Sequence, residues 1–139
     1  MAAVMGIDYG DSRIGIAVSD GLGIVATPRC VIDGKKSLAE TVEAIGAVYE
    51  AEKCGSVVVG YPINMDGTFG NRIHRTEKFI EKFSERYPDA VIIRQDERLT
   101  TKSADRAMID MGVSQRRKGI SDMIAAQIIL QGYLDSEHG

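Results

Sequence analysis

Between two stretches of helical periodicity stands Val57-Val58-Val59-Gly60, a short run with no polar side to turn toward solvent. Such a strand belongs in a sheet covered on both faces, as parallel sheets with crossover helices are. Before it, Leu38, Val42, Ile45, Val48 and Tyr49 recur at helical spacing within residues 37–53, with Ser37 as N-cap and Gly55 just past the end. After it come a loop from Tyr61 to Asn71, a helix near 72–87, a strand at 90–95, and helices at 101–111 and 121–135. Ahead of the first helix, residues 4–9 and 13–19 are β-rich runs separated by the short turn Gly10-Asp11-Ser12, which reads as a hairpin. A third strand is expected near 24–32. The order βββαβαβαα implies an α/β fold in which an antiparallel meander joins parallel strands through crossover helices.

The chain has 139 residues, the size of one domain spanning 1–139. Its apolar runs are only a few residues long, far short of the ~20 that cross a bilayer, and no signal-peptide pattern opens the sequence. No membrane association is therefore expected, and a cytoplasmic location is. Cys30 and Cys54 lack any disulfide or metal spacing logic and read as reduced, buried thiols. The formal charge of −3 excludes a non-specific nucleic-acid coat protein, which would be strongly basic. It leaves room for an acidic site with a local basic rim.

Three acids stand at the ends of three separate apolar segments. Asp8 closes the strand Val4-Met-Gly-Ile-Asp-Tyr-Gly10, with Gly6 and Gly10 on either side to admit a close approach. Glu97 follows Ala90-Val-Ile-Ile93 and shares strand parity with Val91 and Ile93, whereas its neighbour Asp96 goes with Ile92 and Arg94. Parity separates the two only slightly, because central strands are apolar on both faces. Asp122 opens the last helix, where Gln127, Gln131 and Asp135 recur every fourth residue as a solvent stripe. At about 100° per residue Asp122 points away from that stripe and into the protein. An acid in a first turn also suits the helix dipole, but an inward carboxylate needs a partner, and a metal ion shared with two other acids is one. Spaced carboxylates gathered at one sheet edge are the donor set of divalent-metal phosphoryl chemistry.

Positive charge is grouped beside these motifs. Arg72, Arg75 and Lys78 cluster with His74; Arg98 and Lys102 flank the second acid; Arg116-Arg117-Lys118 precede the third. Arg13, Asn64, Arg72, Arg98, Lys102 and Arg116 are the candidates for contacts to a substrate backbone, Asn64 because ligands of open α/β sheets bind beyond the strands' carboxyl ends. The histidines His74 and His138 form no nucleophile–base pair, and no Walker-type loop is present.

Taken together, Gly6-Ile-Asp-Tyr-Gly with Arg13-Ile-Gly-Ile-Ala-Val, Val59-Gly-Tyr-Pro-Ile-Asn-Met-Asp-Gly-Thr, Asp96-Glu-Arg-Leu-Thr-Thr and Asp122-Met-Ile-Ala-Ala with Ile129-Leu-Gln resemble the YqgF, or RuvX, family of RuvC-like nucleases in the RNase H superfamily. The four motifs occur in order and cover nearly the whole chain. Tyr61, where the family often has Leu, and Lys102-Ser103 depart from the pattern without touching a proposed metal ligand. The resemblance implies an RNase H-like fold with a five-stranded mixed sheet flanked by helices, and an acidic site of Asp8, Glu97 and Asp122. It further implies a Mg²⁺- or Mn²⁺-dependent endonuclease on structured nucleic acid, maturing the 5′ end of precursor 16S ribosomal RNA. Resolution of Holliday junctions, by analogy to RuvC, is the alternative, and fold analogy does not choose between them. Symmetric junction cutting would call for a homodimer, since two strands need two sites. Asp8-Tyr-Gly-Asp-Ser-Arg also looks like the first phosphate loop of the actin and Hsp70 group, but ATP binding there takes a second lobe that 139 residues do not provide.

Overall fold

The computed structural model describes residues 2–10, 12–62, 70–96 and 118–138. Five strands form one sheet in the order β3-β2-β1-β4-β5. They are β1 (Ala3–Tyr9), β2 (Arg13–Ser19), β3 (Ala26–Asp33), β4 (Cys54–Tyr61) and β5 (Val91–Asp96). The helices are α1 (Leu38–Ala51), α2 (Asn71–Arg86) and α3 (Lys118–His138). β1, β2 and β3 pair antiparallel, and β4 pairs parallel with both β1 and β5. This is the mixed sheet expected, with boundaries shifted by a few residues. The helix expected at 101–111 lies outside the described residues.

Alternation along β1 divides the molecule. Met5 and Ile7 are fully buried in a cluster with Ile45 of α1 and Phe79 and Phe83 of α2. Gly6 faces the opposite way, against Ala126 and Leu130 of α3. The run Val57-Val58-Val59 does the same in β4: its outer two side chains join the α1–α2 cluster, and Val58 joins Ala126, Ile129 and Leu130 under α3. Both faces are therefore covered, which is why that run has no polar side. Burying each of these aliphatic side chains contributes roughly 1.5–3 kcal/mol.

Local chemistry sets the element ends. The Ser37 hydroxyl accepts from the Glu40 amide at 3.2 Å and donates to the Glu40 carboxylate at 3.0 Å, capping α1. The left-handed residue after α1 is Lys53, at φ 55°, rather than Gly55. In the β1–β2 hairpin the Gly10 amide donates to the Arg13 carbonyl at 3.1 Å. The Gly34 amide then donates to the Ser12 carbonyl at 2.9 Å, tying the end of β3 to that hairpin. Cys30 and Cys54 are free and partly buried, as expected of reduced thiols. No described helix is long and apolar enough to cross a membrane.

Candidate active site

Glycine lets α3 lie directly on the sheet. A Cβ on Gly6 would sit 2.6 Å from the Leu130 Cβ and 2.9 Å from the Ala126 carbonyl oxygen. A Cβ on Gly15 would collide with the backbone carbonyl of Asp122. From Gly6 to Asp8 the strand advances two residues, about 6.6 Å. From Ala126 back to Asp122 the helix moves four residues, about 6 Å. The two therefore travel side by side, α3 running antiparallel to β1. Asp8 lies directly across from Gly15 in the β1–β2 register and shares Gly6's face of β1. The sheet thus presents Asp8 toward α3 where Asp122 arrives, with no side chain at Gly15 between them. Both carboxylates are half-buried.

Arg13, two residues before Gly15 on the same face of β2, completes the group. Its Nε donates to Asp122 Oδ2 at 2.7 Å, with the side chains 41% and 22% exposed. The inward carboxylate expected from the sequence is found, and its partner here is a guanidinium. Two premises of that expectation are corrected. Gln127 and Gln131 do not form a solvent stripe: Gln127 Nε2 donates to the Ala26 carbonyl at 3.1 Å, and Gln131 donates to Ile24 and accepts from the Ala26 amide at 2.9 Å each. They strap α3 to the edge strand β3. Asp122 also lies beyond the first turn of α3, which begins at Lys118 and carries no acid there, so the dipole does not account for it. The close approach expected at the glycines around Asp8 is found at Gly6, where it admits the backbone of α3, while Gly10 closes the hairpin without a positive φ.

Glu97, Asn64, Arg98, Lys102 and Arg116 lie outside the described residues. Asp96 ends β5 opposite Tyr61. By alternation it belongs with Ile92, which packs in the α1–α2 cluster, whereas Ile93 packs under α3. Asp96 is thus on the face away from Asp8 and Asp122. On that face Arg94 makes two bonds to Glu77, at 2.6 and 3.0 Å, and the Tyr61 hydroxyl donates to Glu77 at 2.7 Å. The Arg94 guanidinium, with help from Tyr61, holds the Glu77 carboxyl below the usual carboxylate range. Nothing in the sequence marked this trio, because its members come from three elements.

Arg72 is exposed at the start of α2, and its Nη2 donates to the Tyr9 carbonyl at 3.3 Å, next to Asp8. A cleft of about 170 Å³ opens there, lined by Tyr9, Gly34, Lys36, Leu38, Arg75 and Lys78. A larger one of about 490 Å³ lies between α1 and α2, lined by Leu38, Val42, Glu43, Lys82 and Arg86 among others. Size does not make it the site: its cations are already paired, Arg86 with Glu43 at 3.1 Å and Lys82 with Glu85 at 3.3 Å. Among the described residues no three potential metal ligands come together. The two acids that do share a face, Asp8 and Asp122, are hard oxygen donors suited to Mg²⁺ or Mn²⁺.

Comparison with known proteins agrees with this fold. The chain is 47% identical to the putative pre-16S rRNA nuclease of Ruminiclostridium cellulolyticum, over 95% of this chain and 93% of that one. It is 46% identical to the protein of the same name from Acetivibrio thermocellus, over 96% of each. Among solved structures, T. thermophilus RuvC in complex with a Holliday junction substrate superposes with a TM-score of 0.64 at 12% identity, over 100% of this chain and 97% of that one. The yeast mitochondrial Holliday junction resolvase Ydc2 gives 0.57 at 11% identity, over 94% and 77%. At such identities the likeness is one of fold, and the fold is RNase H-like. The family described as RuvX, Holliday junction resolvase, matches residues 2–136, and the chain belongs to it as a nuclease, a hydrolase of phosphodiester bonds.

Proposed function

We propose that Asp8, Glu97 and Asp122 together bind a divalent cation, Mg²⁺ or Mn²⁺, and that the protein cuts structured nucleic acid at the 5′ end of precursor 16S rRNA. The observation that carries the site is the convergence of Asp8 and Asp122 across side-chain-free Gly15. Glu97 enters by sequence parity with Ile93, which packs under α3 on the face of the other two acids. The substrate is supported by the pre-16S rRNA nuclease names of relatives 46–47% identical over nearly the full length. Holliday junction cutting is the second reading, favoured by the family description and by the fold shared with junction-bound RuvC. A homodimer accompanies that second reading, and a single cytoplasmic domain suits both.

When bound, the cation supplies charge stabilisation at the scissile phosphate. The chain's own residues position and orient. Asp8 is fixed by five residue pairs of β1–β2 register, and Asp122 by the seating of α3 on Gly6 and Gly15. Arg13 restrains the Asp122 carboxylate, and once displaced from it would be a donor to a phosphate oxygen. In the reaction a water oxygen bonds to phosphorus and the bond to the 3′-oxygen breaks. The proton lost by the water is balanced by one gained at that oxygen, leaving a 5′-phosphate and a 3′-hydroxyl. Positioning and field dominate such chemistry. The test places wild type and Asp8→Asn with precursor rRNA and a four-way DNA junction in one Mg²⁺ buffer. Cleavage of the rRNA by wild type alone is expected; equal cleavage by the variant would remove the site assignment, and cleavage of the junction alone would transfer the substrate to the second reading.

A further inference from the structure

The cleft at Tyr9 has a chemistry that the acidic site does not explain. Three of its six described lining residues are cations, and they come from separate places: Lys36 from the connection between β3 and α1, and Arg75 and Lys78 from α2. No acid is among the described lining residues. In a chain of net charge −3, that grouping runs against composition. It also contrasts with the other end of α2, where Lys82 and Arg86 each hold a glutamate. Lys36 and Lys78 have no carboxylate partner among the described residues, so these two side chains bring positive charge to the cleft that no described acid offsets.

The cleft is also built rather than incidental. The Tyr9 ring stacks on Phe79 with centroids 4.8 Å apart, which fixes the cleft's floor. The Asp33 carboxylate accepts from the Lys35 amide at 2.8 Å, and the Gly34 amide is held by Ser12, which sets the turn that delivers Lys36. A phenol and three cations line the cleft.

Its position gives it a purpose. Tyr9 follows Asp8 in β1, so the two α-carbons are about 3.8 Å apart while their side chains leave on opposite faces of the sheet. A strand lying across the carboxyl edge of β1 would place one phosphate at Asp8 and a neighbouring phosphate in the cleft. We propose that Tyr9, Lys36, Arg75 and Lys78 form a subsite for an internal backbone phosphodiester adjoining the scissile one. This assignment rests on the nuclease site at Asp8 and Asp122, and it fixes the side of the sheet edge along which the nucleic acid leaves that site.

The experiment measures binding without cleavage. Fluorescence anisotropy of a labelled single-stranded RNA oligonucleotide, in EDTA and over a series of salt concentrations, is compared for wild type, Lys36→Gln/Lys78→Gln and Lys82→Gln/Arg86→Gln. The second variant removes the same charge, from the far end of α2, and controls for net charge. The Lys36/Lys78 variant should bind about tenfold more weakly, with the slope of log affinity against log salt reduced by ~0.7, one single-strand phosphate contact. The control should bind as wild type does. Wild-type affinity in Lys36→Gln/Lys78→Gln, or equal losses in both variants, overturns the subsite. A 5′-phosphorylated and a 5′-hydroxyl oligonucleotide should bind alike; a tenfold preference for the former, or competition by millimolar inorganic phosphate, would mean a terminal-phosphate pocket and overturn the internal assignment. Because EDTA suppresses hydrolysis, these outcomes stand apart from the nuclease reading, which Asp8→Asn tests by cleavage.

Discussion

Replacing Arg13 with methionine separates the two demands that meet at Asp122. The guanidinium and carboxylate touch at 2.7 Å, with side chains 41% and 22% exposed. Charge centres about 4 Å apart attract by ~1 kcal/mol in water-like surroundings and ~4 kcal/mol at an effective dielectric of 20. Solvent access and side-chain entropy bring the net contribution of such a pair to about 1 kcal/mol. The fold should therefore lose little. A divalent cation at Asp122 meets a different balance, because it must share or displace Arg13. A doubly charged ion roughly 5 Å from the guanidinium is repelled by ~1.7 kcal/mol even at the dielectric of water. Removing that repulsion tightens metal binding by about 15-fold. Calorimetric titration with Mg²⁺ or Mn²⁺ should show the tighter affinity in Arg13→Met, while thermal melts in EDTA show a loss near 1 kcal/mol. Equal or weaker metal affinity in the variant would refute the placement of the cation at Asp122.

Other perturbations read other parts of the structure. Gly15→Ala forces a methyl group into the Asp122 carbonyl and should cost about 1–3 kcal/mol in chemical denaturation while abolishing cleavage, since α3 must lift off the sheet; an unchanged melting temperature with full activity would contradict the close packing. Glu77 is ion-paired to Arg94 and its pKa is depressed, so its contribution is present above the unfolded-state value and is lost as pH falls through the folded one. The stability gap between wild type and Glu77→Gln, at most about 1 kcal/mol for this half-exposed pair, should accordingly shrink in melts below about pH 4. Burial pushes the Cys54 thiol up to about 11, leaving on the order of 0.1% thiolate at pH 8, so native-state alkylation at Cys54 should be far slower than for a free thiol near 8.5.

Much of this architecture is legible in the chain, and the exceptions are instructive. Val57-Val58-Val59 declares a sheet covered on both faces, and that is how the strand packs. Asp8 and Asp122 stand out from position alone, and the fold brings them to one face. Asp122 is turned inward although the glutamines used to orient it are engaged by the backbone of β3 rather than by water. A polar side chain at helical spacing looks the same in sequence whether it bonds to solvent or to a neighbouring strand. Gly15 looked like one more strand glycine, and only the seat of α3 reveals that its missing side chain sets the spacing of the site. Asp96 and Glu97 were nearly equivalent by parity until the packing of Ile92 and Ile93 gave the two faces of β5 different neighbours. Lys36 escaped notice because its cleft is assembled from β1, α2 and the β3–α1 connection, which no local pattern brings together.

The central claim is that Asp8 and Asp122 act as one carboxylate site. Its most direct test is the rate of Mg²⁺-dependent cleavage of an end-labelled precursor rRNA by wild type, Asp8→Asn and Asp122→Asn, each first shown to be folded by its thermal melt. Losing an interaction that stabilises the transition state costs on the order of 10²–10³-fold, and both variants should fall by at least that much. Cleavage by either variant at the wild-type rate would contradict the account.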